Sequence, residues 1–467
     1  MSETARGSEK ITDDTTAHWK RLDVRHHLNP QMNYHQLKEV EGGSRIITDA
    51  SGVWLTDSEG EKILDGMAGL WAVNIGYGRD DFARVAAEQM NRLAYYNSFF
   101  KTTTPPTVEL AAKLAEIAPG DCNRVFFGSS GSESNDTFVR MARFYWSVQG
   151  QKKRVNFITR EMAYHGSTQT GASLGGLGIL HEHFGLPLPN FHHVMPPYGF
   201  NFKRAGESDE EFGLRAARAV EEKILELGPD TVAAFLGEPV IGAGGVLIPP
   251  DNYWPEVQRI CREYGILFGA DEVITGFGRL GRWFGCQRWG LEPDMITMAK
   301  GISSGYLPLS GLMVSDKVAR VMIDSGEDFY HGYTYSGHPV ACAVGLANVE
   351  AMAREKVIET FDRDIAPYFR ERLIGEFADH PLVGEVRVIG GLSAVEMVAD
   401  KATGKRFEKT GSVGTLCRDH CMRLGVISRG IRDAMILCPP LVISRDEVDE
   451  MIRRLRLAVD LTAKEVL

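Results

Sequence analysis

Short apolar runs alternate with helical segments through the middle of the chain, and this alternation constrains the fold more than any other feature. Segments between the runs carry apolar residues at helical spacing, as in the one with Phe138, Met141 and Tyr145. The runs typical of buried strands lie at 125–127, 155–158, 232–236, 266–268, 295–298 and 309–314. This alternation predicts an α/β fold, with a mainly parallel sheet between two layers of helices. Because ligands of such sheets bind at the carboxyl ends of the strands, functional residues are expected just after each strand.

The two ends of the chain have a different pattern, which predicts a second, smaller α+β domain. Residues 45–64 contain short strand-like runs separated by turn glycines, as expected for an antiparallel meander. Beyond a helix predicted over 338–354, strands are predicted at 386–397, 426–428 and 436–438, and helices at 415–424 and 446–462. A chain of 467 residues also exceeds what one hydrophobic core normally fills. The predicted division is a disordered leader (1–16), an N-terminal part of the small domain (17–75), a large domain (76–339) and a C-terminal small domain (340–467).

Charge and hydropathy exclude several classes of partner. The formal net charge of −10 argues against nucleic acid or an anionic membrane as the main partner. No apolar run approaches the ~20 residues that a membrane-spanning helix needs. Residues 1–16 lack the apolar core of a signal peptide, and the seven cysteines are scattered. A cytoplasmic protein with reduced thiols is the expectation.

Two neighbouring strands of the predicted sheet each end near a charged residue suited to catalysis. Asp271 comes shortly after the run 266–268, and Lys300 shortly after the run 295–298. A carboxylate beside a pyridine nitrogen keeps that nitrogen protonated, and a lysine at the next strand end can form a Schiff base. A lysine with the ordinary pKa of ~10.4 needs burial or a nearby cation for this role. An acid and a lysine on the surface of an ordinary α/β protein are the alternative, and spacing alone does not exclude it.

The first run of the alternating region leads into a turn of small residues, Gly128-Ser129-Ser130-Gly131-Ser132, and then into a helix. Backbone N–H groups and hydroxyls in such a turn can approach a phosphate, and the helix N-terminus adds favourable partial charge. No Gly-Lys-Ser/Thr follows, so the turn is not a P-loop. A capped strand-to-helix turn without a ligand is the alternative.

An aromatic residue and a glycine follow the run 155–158, in the segment Tyr164-His165-Gly166. The ring of Tyr164 can stack on a flat cofactor, and the glycine leaves room for it. Taken alone, a tyrosine and a histidine here are more often core or surface residues.

Taken together, these segments resemble the class III aminotransferases of fold type I, in the omega-transaminase group. The resemblance runs in order through nearly the whole chain from about residue 19. It includes Gly237-Glu238-Pro239, the sequence Asp-Glu-Val-Ile-Thr-Gly-Phe-Gly-Arg at 271–279 and Thr-Tyr-Ser-Gly-His-Pro at 334–339. Within the group the chain is most similar to the polyamine or diamine:pyruvate aminotransferases, including Trp71 and residues 330–334.

The resemblance implies pyridoxal 5'-phosphate as the cofactor. Lys300 would hold it covalently and move the proton during catalysis, and Asp271 would bind the pyridinium nitrogen. Val273 and Tyr164 would lie on the two faces of the ring. The other cofactor-binding residues implied are Ser130, Gly131 and Ser132 at the phosphate, His165, Glu238, and Thr334 from the other subunit.

The resemblance also implies the reaction and the assembly. An amino group would pass from a primary amine such as putrescine to pyruvate, giving an aldehyde or ketone and alanine by a ping-pong mechanism. Trp71, Phe99 and Tyr164 would line the amine pocket. Arg429 would pair with a substrate carboxylate and swing away for an uncharged amine, a role that suits a planar guanidinium. A homodimer with active sites at its interface is implied, and a tetramer stays open.

Several alternatives remain at this point. An aminomutase, racemase or decarboxylase would share the lysine and the aspartate, and a non-catalytic cofactor-binding protein belongs to a different class. The glycines at 276, 278 and 281 fit a dinucleotide pattern, but no amphipathic helix follows, so a NAD site is not favoured. Short histidine and cysteine clusters lack a second ligand pair, so no metal is expected. The donor stays open among putrescine, a longer polyamine, a β-amino acid and an aromatic amine.

Overall fold

The computed structural model describes residues 13–31, 33–35 and 44–467, and its elements follow the predicted alternation. The strands are β1 Ile47–Ser51, β2 Trp54–Asp57, β3 Lys62–Asp65, β4 Cys122–Gly128, β5 Asn156–Arg160, β6 Phe191–Val194, β7 Val232–Gly237, β8 Leu267–Asp271, β9 Met295–Met298, β10 Ser310–Ser315, β11 Val383–Ile389, β12 Leu392–Met397, β13 Val426–Ile427, β14 Arg429–Ile431 and β15 Ala434–Leu437. The helices are Asp13–His26, Asp80–Leu93, Pro105–Ile117, Gly131–Val148, Gln169–Leu174, Gly199–Phe202, Asp209–Leu227, Tyr253–Glu263, Asp316–Asp324, Pro339–Arg354, Val357–Thr360, Ala366–Phe377, Ser412–Arg423 and Arg445–Val466, with a short irregular helical turn at Ala68–Trp71.

A seven-stranded sheet lies at the centre, in the order β4-β10-β9-β8-β7-β5-β6. β10 is antiparallel to both of its neighbours, and the pairs from β9 through to β6 are parallel. The sheet is therefore mainly parallel, as predicted, and the strands other than β10 end at the same edge. The sequence does not predict β6, because His192 and His193 leave only its two end residues apolar.

Consecutive residues of the central strands face different helical layers. Phe235 belongs to the same buried cluster as residues of the helices Asp209–Leu227 and Tyr253–Glu263. The next residue, Leu236, packs with Phe138 in a second cluster on the other face. This alternation follows from the period of two along a strand, and each fully buried side chain of this size stabilises the fold by roughly 1.5–3 kcal/mol. The two layers thereby fix the strand ends relative to one another.

The C-terminal part forms a four-stranded sheet in the order β11-β12-β15-β14. Residues 386–397, predicted as one strand, are instead most of a hairpin of β11 and β12, because Gly390 and Gly391 form a tight turn in which Gly390 has a φ of +54°. β13 pairs in parallel with β3 of the N-terminal meander. The two ends of the chain therefore meet in one sheet, as the sequence predicts.

The predicted domain division stays a prediction. Its boundary after residue 339 falls at the start of the helix Pro339–Arg354, which packs on Asp80–Leu93 and Pro105–Ile117 within the predicted large domain. Most of the predicted leader lies outside the described residues. Residues 13–16 are not a leader but the first turn of the helix Asp13–His26, where Thr16 is buried and its hydroxyl donates to the carbonyl of Ser58 at 3.2 Å.

Two expectations about the chain as a whole concern its cysteines and membrane-spanning helices. All seven cysteines are buried and unpaired. Over residues 13–31, 33–35 and 44–467, no helix is both long and apolar enough to cross a membrane.

Candidate active site

Loops that follow β4, β5, β7, β8 and β9 meet at the carboxyl edge of the central sheet and enclose a pocket. Of the residues predicted for the site, the pocket wall contains Gly131, Ser132, Tyr164, His165, Glu238, Asp271, Val273 and Lys300. Residues more than a hundred positions apart in sequence thus converge because parallel strands end side by side.

Asp271, the last residue of β8, is buried and held in a network of hydrogen bonds. Its Oδ2 lies 2.7 Å from Nδ1 of His165 and accepts a hydrogen bond from Nδ2 of Asn135 at 3.0 Å. The backbone N–H of Val273 donates to Oδ1 at 3.1 Å. Burial raises the pKa of this carboxyl, but the hydrogen bonds from His165, Asn135 and the Val273 N–H, with the electrostatic interaction with His165, outweigh burial and hold the pKa below its ordinary value. Asp271 is therefore an anion at neutral pH.

Asn135 is a pocket residue that the sequence analysis did not single out. Its amide donates to the carbonyl of His165 at 2.7 Å as well as to Asp271, so it ties two loops together. A signal for it was present in the sequence. Asn135 lies four residues after Gly131 on one helix, and residues at that spacing share a face.

Lys300 follows β9 and lies at the floor of the pocket with a left-handed backbone, φ +47°. Burial lowers the pKa of its amino group to about 8, more than the nearby carboxylates of Asp271 and Glu238 raise it. The Nζ atom stands 5.5 Å from the ring centre of Trp71. Near neutral pH a useful fraction of this amine is therefore uncharged and able to act as a nucleophile or base.

Glu238 follows β7 and joins two loops of the pocket. Its Oε1 accepts a hydrogen bond from the backbone N–H of Tyr164 at 3.1 Å, and its Oε2 from that of Gly242 at 2.8 Å. Burial raises the pKa of Glu238. The carboxyl group holds Tyr164 at the rim of the pocket.

The turn after β4 forms the side of the pocket at which an anion would bind. Ser130 caps the helix Gly131–Val148 by accepting a hydrogen bond from the N–H of Glu133 at 3.2 Å. The Ser132 hydroxyl accepts from the N–H of Ser167 at 3.0 Å. A Cβ on Gly166 would lie 2.7 Å from that hydroxyl oxygen, so only glycine allows the two loops to approach so closely. The predicted phosphate turn and the predicted Tyr-His-Gly segment are thus in direct contact.

Trp71 and Arg429 lie beside the pocket and contact each other. Trp71 is buried, with its ring 5.0 Å from Cζ of Arg429. Burial lowers the pKa of Arg429, which nevertheless stays far above neutral pH. Nη2 of Arg429 donates to Oε1 of Gln31 over 3.5 Å. The guanidinium therefore rests on an aromatic face near the reactive lysine.

Phe99 and Thr334 are two further predicted site residues that do not line this pocket. Phe99 packs against Gly332, where an added Cβ would come within 2.5 Å of the phenyl ring. Thr334 is exposed, and its carbonyl accepts a hydrogen bond from the Tyr95 hydroxyl at 2.6 Å. The segment that carries Tyr95 and Phe99 therefore packs against the segment that carries Gly332 and Thr334.

Comparison with known proteins agrees with this geometry. Residues 38–459 match the family described as Aminotransferase class-III. A putrescine–pyruvate aminotransferase of Pseudomonas aeruginosa is 50% identical over 460 residues, covering 98% of this chain and 100% of its own length. Among solved structures, an omega-transaminase from Pseudomonas jessenii in complex with PMP has a TM-score of 0.93 and 39% identity, with 96% of this chain and 98% of that chain covered. An (S)-enantioselective omega-transaminase from Thermomicrobium roseum has a TM-score of 0.91 and 44% identity, with the same coverage of 96% and 98%.

Proposed function

The chain belongs to the class III aminotransferases, and from this premise we propose that it transfers an amino group from putrescine or a related amine to pyruvate, using pyridoxal 5'-phosphate. The family and the fold-type-I architecture predicted from the sequence are confirmed. The arrangement of Lys300 and Asp271 at adjacent strand ends is the observation that carries the proposal. The amine and the keto acid are those named for the relative of 50% identity.

The donors and shape of the pocket fit pyridoxal phosphate. Gly131 leaves a cradle, since an added Cβ would lie 3.0 Å from a methyl group of Val273 and fill the space above it. The helix N-terminus after Ser130 suits a phosphate, and the anionic Asp271 suits a pyridinium nitrogen. Ser130, Gly131 and Ser132 would hold the phosphate, while Val273 and Tyr164 would flank the ring.

Asp271 and Lys300 have complementary roles in this proposal. The bound cofactor supplies an electron sink and a carbonyl carbon that can take up an amino group. Asp271, kept ionised by its bonds with His165 and Asn135, would keep the pyridine nitrogen of the bound cofactor protonated. Lys300, with its lowered pKa, would remove the proton from the amine-bearing carbon of the donor through Nζ.

Arg429 would serve the second half of the reaction. A carboxylate of pyruvate pairs with a guanidinium through two parallel hydrogen bonds, whereas a diamine offers no carboxylate. In the described chain the guanidinium of Arg429 lies over the ring of Trp71, with Cζ 5.0 Å from the ring centre. A site that accepts both substrates needs such a movable cation.

Phe99 and Thr334 would reach the pocket of a second copy. Both lie on a region of the chain with exposed aromatic side chains, including Phe100 at 91% and Tyr330 at 83% exposure. Large exposed aromatic residues of this kind mark interaction surfaces. We therefore include a homodimer in the proposal, with Thr334 of one subunit beside the phosphate of the other.

The first experiment adds putrescine to the purified yellow protein without a keto acid and follows the visible absorbance. Loss of the cofactor band, and its return on adding pyruvate with formation of alanine, is the expected result. A decarboxylase, a racemase or an aminomutase needs no keto acid, so the pyruvate-dependent return of the band and the formation of alanine would exclude all three. A protein that stays colourless after incubation with pyridoxal phosphate would refute the proposal.

A further inference from the structure

The short turn that carries Trp71 has a strained backbone. Ala68, Gly69 and Trp71 have φ values of +46°, +68° and +58°. Left-handed φ values are unfavourable for residues with a side chain and persist only where surrounding contacts hold them. Something must therefore fix this turn.

Asp65, the last residue of β3, makes the contacts that hold the turn. Its Oδ1 accepts a hydrogen bond from the N–H of Met67 at 2.9 Å. Its Oδ2 accepts from the N–H of Gly69 at 2.6 Å and from the Tyr77 hydroxyl at 2.7 Å. Burial and the adjacent Asp65 raise the pKa of Tyr77, so its hydroxyl keeps the proton that it donates. A fully buried carboxylate thus holds the first half of the turn through two backbone N–H groups.

The same strand end lies next to the segment that carries Arg429. Asp65 pairs with Ile427 in the parallel ladder of β3 and β13, and Arg429 follows two residues later. One strand therefore leads to Trp71 and its neighbour to Arg429, whose Cζ lies 5.0 Å from the ring. Among the residues that the structure describes, the contacts of the guanidinium are this ring and Gln31, and no carboxylate pairs with it.

We propose that Asp65 is a positioning residue that fixes Trp71 as the resting place of Arg429, and so lets one site accept a diamine as well as a keto acid. This inference rests on the proposed function. The second amino group of putrescine is an ammonium ion at neutral pH, since simple alkylamines have pKa values near ~10. An arginine that is not held on Trp71 is free to turn into the pocket and repel this ammonium. A keto acid or an amino acid draws Arg429 to its own carboxylate and depends less on the resting place.

The test compares two donors in the holoenzyme with Asp65→Asn, a substitution that keeps the shape and removes the charge. Single half-reactions with putrescine and with alanine are followed by the visible absorbance of the cofactor. We expect kcat/KM for putrescine to fall about tenfold, mainly because KM rises. A loss of this size corresponds to one partly buried cation–π contact, here the contact between Arg429 and Trp71. The kcat/KM for alanine should stay within about threefold of its wild-type value. Equal losses for both donors, or no loss for either, would overturn the inference.

Two further variants separate positioning from general destabilisation. Tyr77→Phe removes one hydrogen bond to Asp65, and we expect a smaller change of the same sign in the putrescine-to-alanine ratio. Asp57→Asn is the matched control, because Asp57 is also buried in the meander and accepts hydrogen bonds from the N–H groups of Glu59 and Glu61 at 3.0 and 2.9 Å. Asp57→Asn should lower thermal stability and leave the putrescine-to-alanine ratio of kcat/KM unchanged. If Asp65→Asn does not fold, Tyr77→Phe tests the inference. An unchanged putrescine-to-alanine ratio of kcat/KM in Tyr77→Phe would then overturn it.

Failure of the proposed function is distinguishable from failure of this inference. If the wild-type holoenzyme reacts with neither donor, the proposed function fails. Crystal structures of the wild type and Asp65→Asn then still test the positioning role. Arg429 displaced from Trp71 in the variant would support it, and unchanged positions of both side chains would overturn it.

Discussion

At the scale of single residues, the chemistry depends on how burial acts on two charges of opposite sign. Burial alone would make both Asp271 and Lys300 neutral. Asp271 stays ionised because His165 and Asn135 form hydrogen bonds with it. For Lys300, burial lowers the pKa more than the nearby carboxylates raise it. The same pocket therefore holds an anion for the ring nitrogen and an amine of lowered pKa for the reacting carbon.

The pKa of Lys300 predicts how uptake of the cofactor depends on pH. Only the neutral amine attacks an aldehyde, so the rate of pyridoxal phosphate binding to the cofactor-free protein should rise with pH and level off above a midpoint of about 8. Stopped-flow absorbance measures this rate. An unperturbed lysine would give a midpoint near ~10.4, and that result would contradict the assignment. In Lys300→Ala the slow covalent phase should be absent at every pH.

At the scale of elements, the site depends on close contact between two loops that follow different strands. The turn after β4 places Ser132 at the start of a long helix, and the loop after β5 places Gly166 directly against it. Gly166 has a φ of +128°, a conformation that residues with a side chain rarely adopt. Strand order alone would bring these loops near one another, but the glycine allows them to touch.

Gly166→Ala should therefore weaken cofactor binding. The added methyl group would lie 2.7 Å from Oγ and 2.9 Å from Cα of Ser132, so the phosphate turn must move. Strain of about 1–3 kcal/mol corresponds to an affinity about fivefold to about 150-fold lower. Equilibrium titration with pyridoxal phosphate measures the change. Gly178→Ala is the control, since nothing lies within 4 Å of its added Cβ, and equal affinities in the two variants would show that the contact is unimportant.

At the scale of the whole molecule, one chain contains most of the predicted site but not all of it. Lys300 and Asp271 line the pocket, whereas the partly buried Phe99 and the exposed Thr334 lie together at another part of the surface. A homodimer with two-fold symmetry would bring that surface of each chain to the other. The missing residues would then complete both sites at once.

A mixed dimer tests this sharing of residues. Thr334→Glu places a negative charge where the phosphate is expected, and Lys300→Ala removes the reactive amine, so each homodimer should lose at least about a hundredfold in activity. A purified dimer of one Lys300→Ala chain and one Thr334→Glu chain should regain about half of the wild-type activity, because one of its two sites is intact. If each chain completes its own site, the mixed dimer should remain inactive. A dimer of Lys300→Ala with the wild-type chain gives the reference value.

The sequence by itself determined the α/β class, the meander, the family and most of the residues around the pocket. It could do so because strand and helix periods, turn glycines and charged strand ends are local patterns. Local patterns did not predict β6, because its two central residues are histidines. They also did not predict that residues 386–397 form parts of two strands. Only the tertiary structure decided that Asn135 bonds to Asp271 and that Asp65 supports the turn of Trp71. These are contacts between residues distant in sequence, and they depend on which strands lie side by side and on how tightly the loops between them pack.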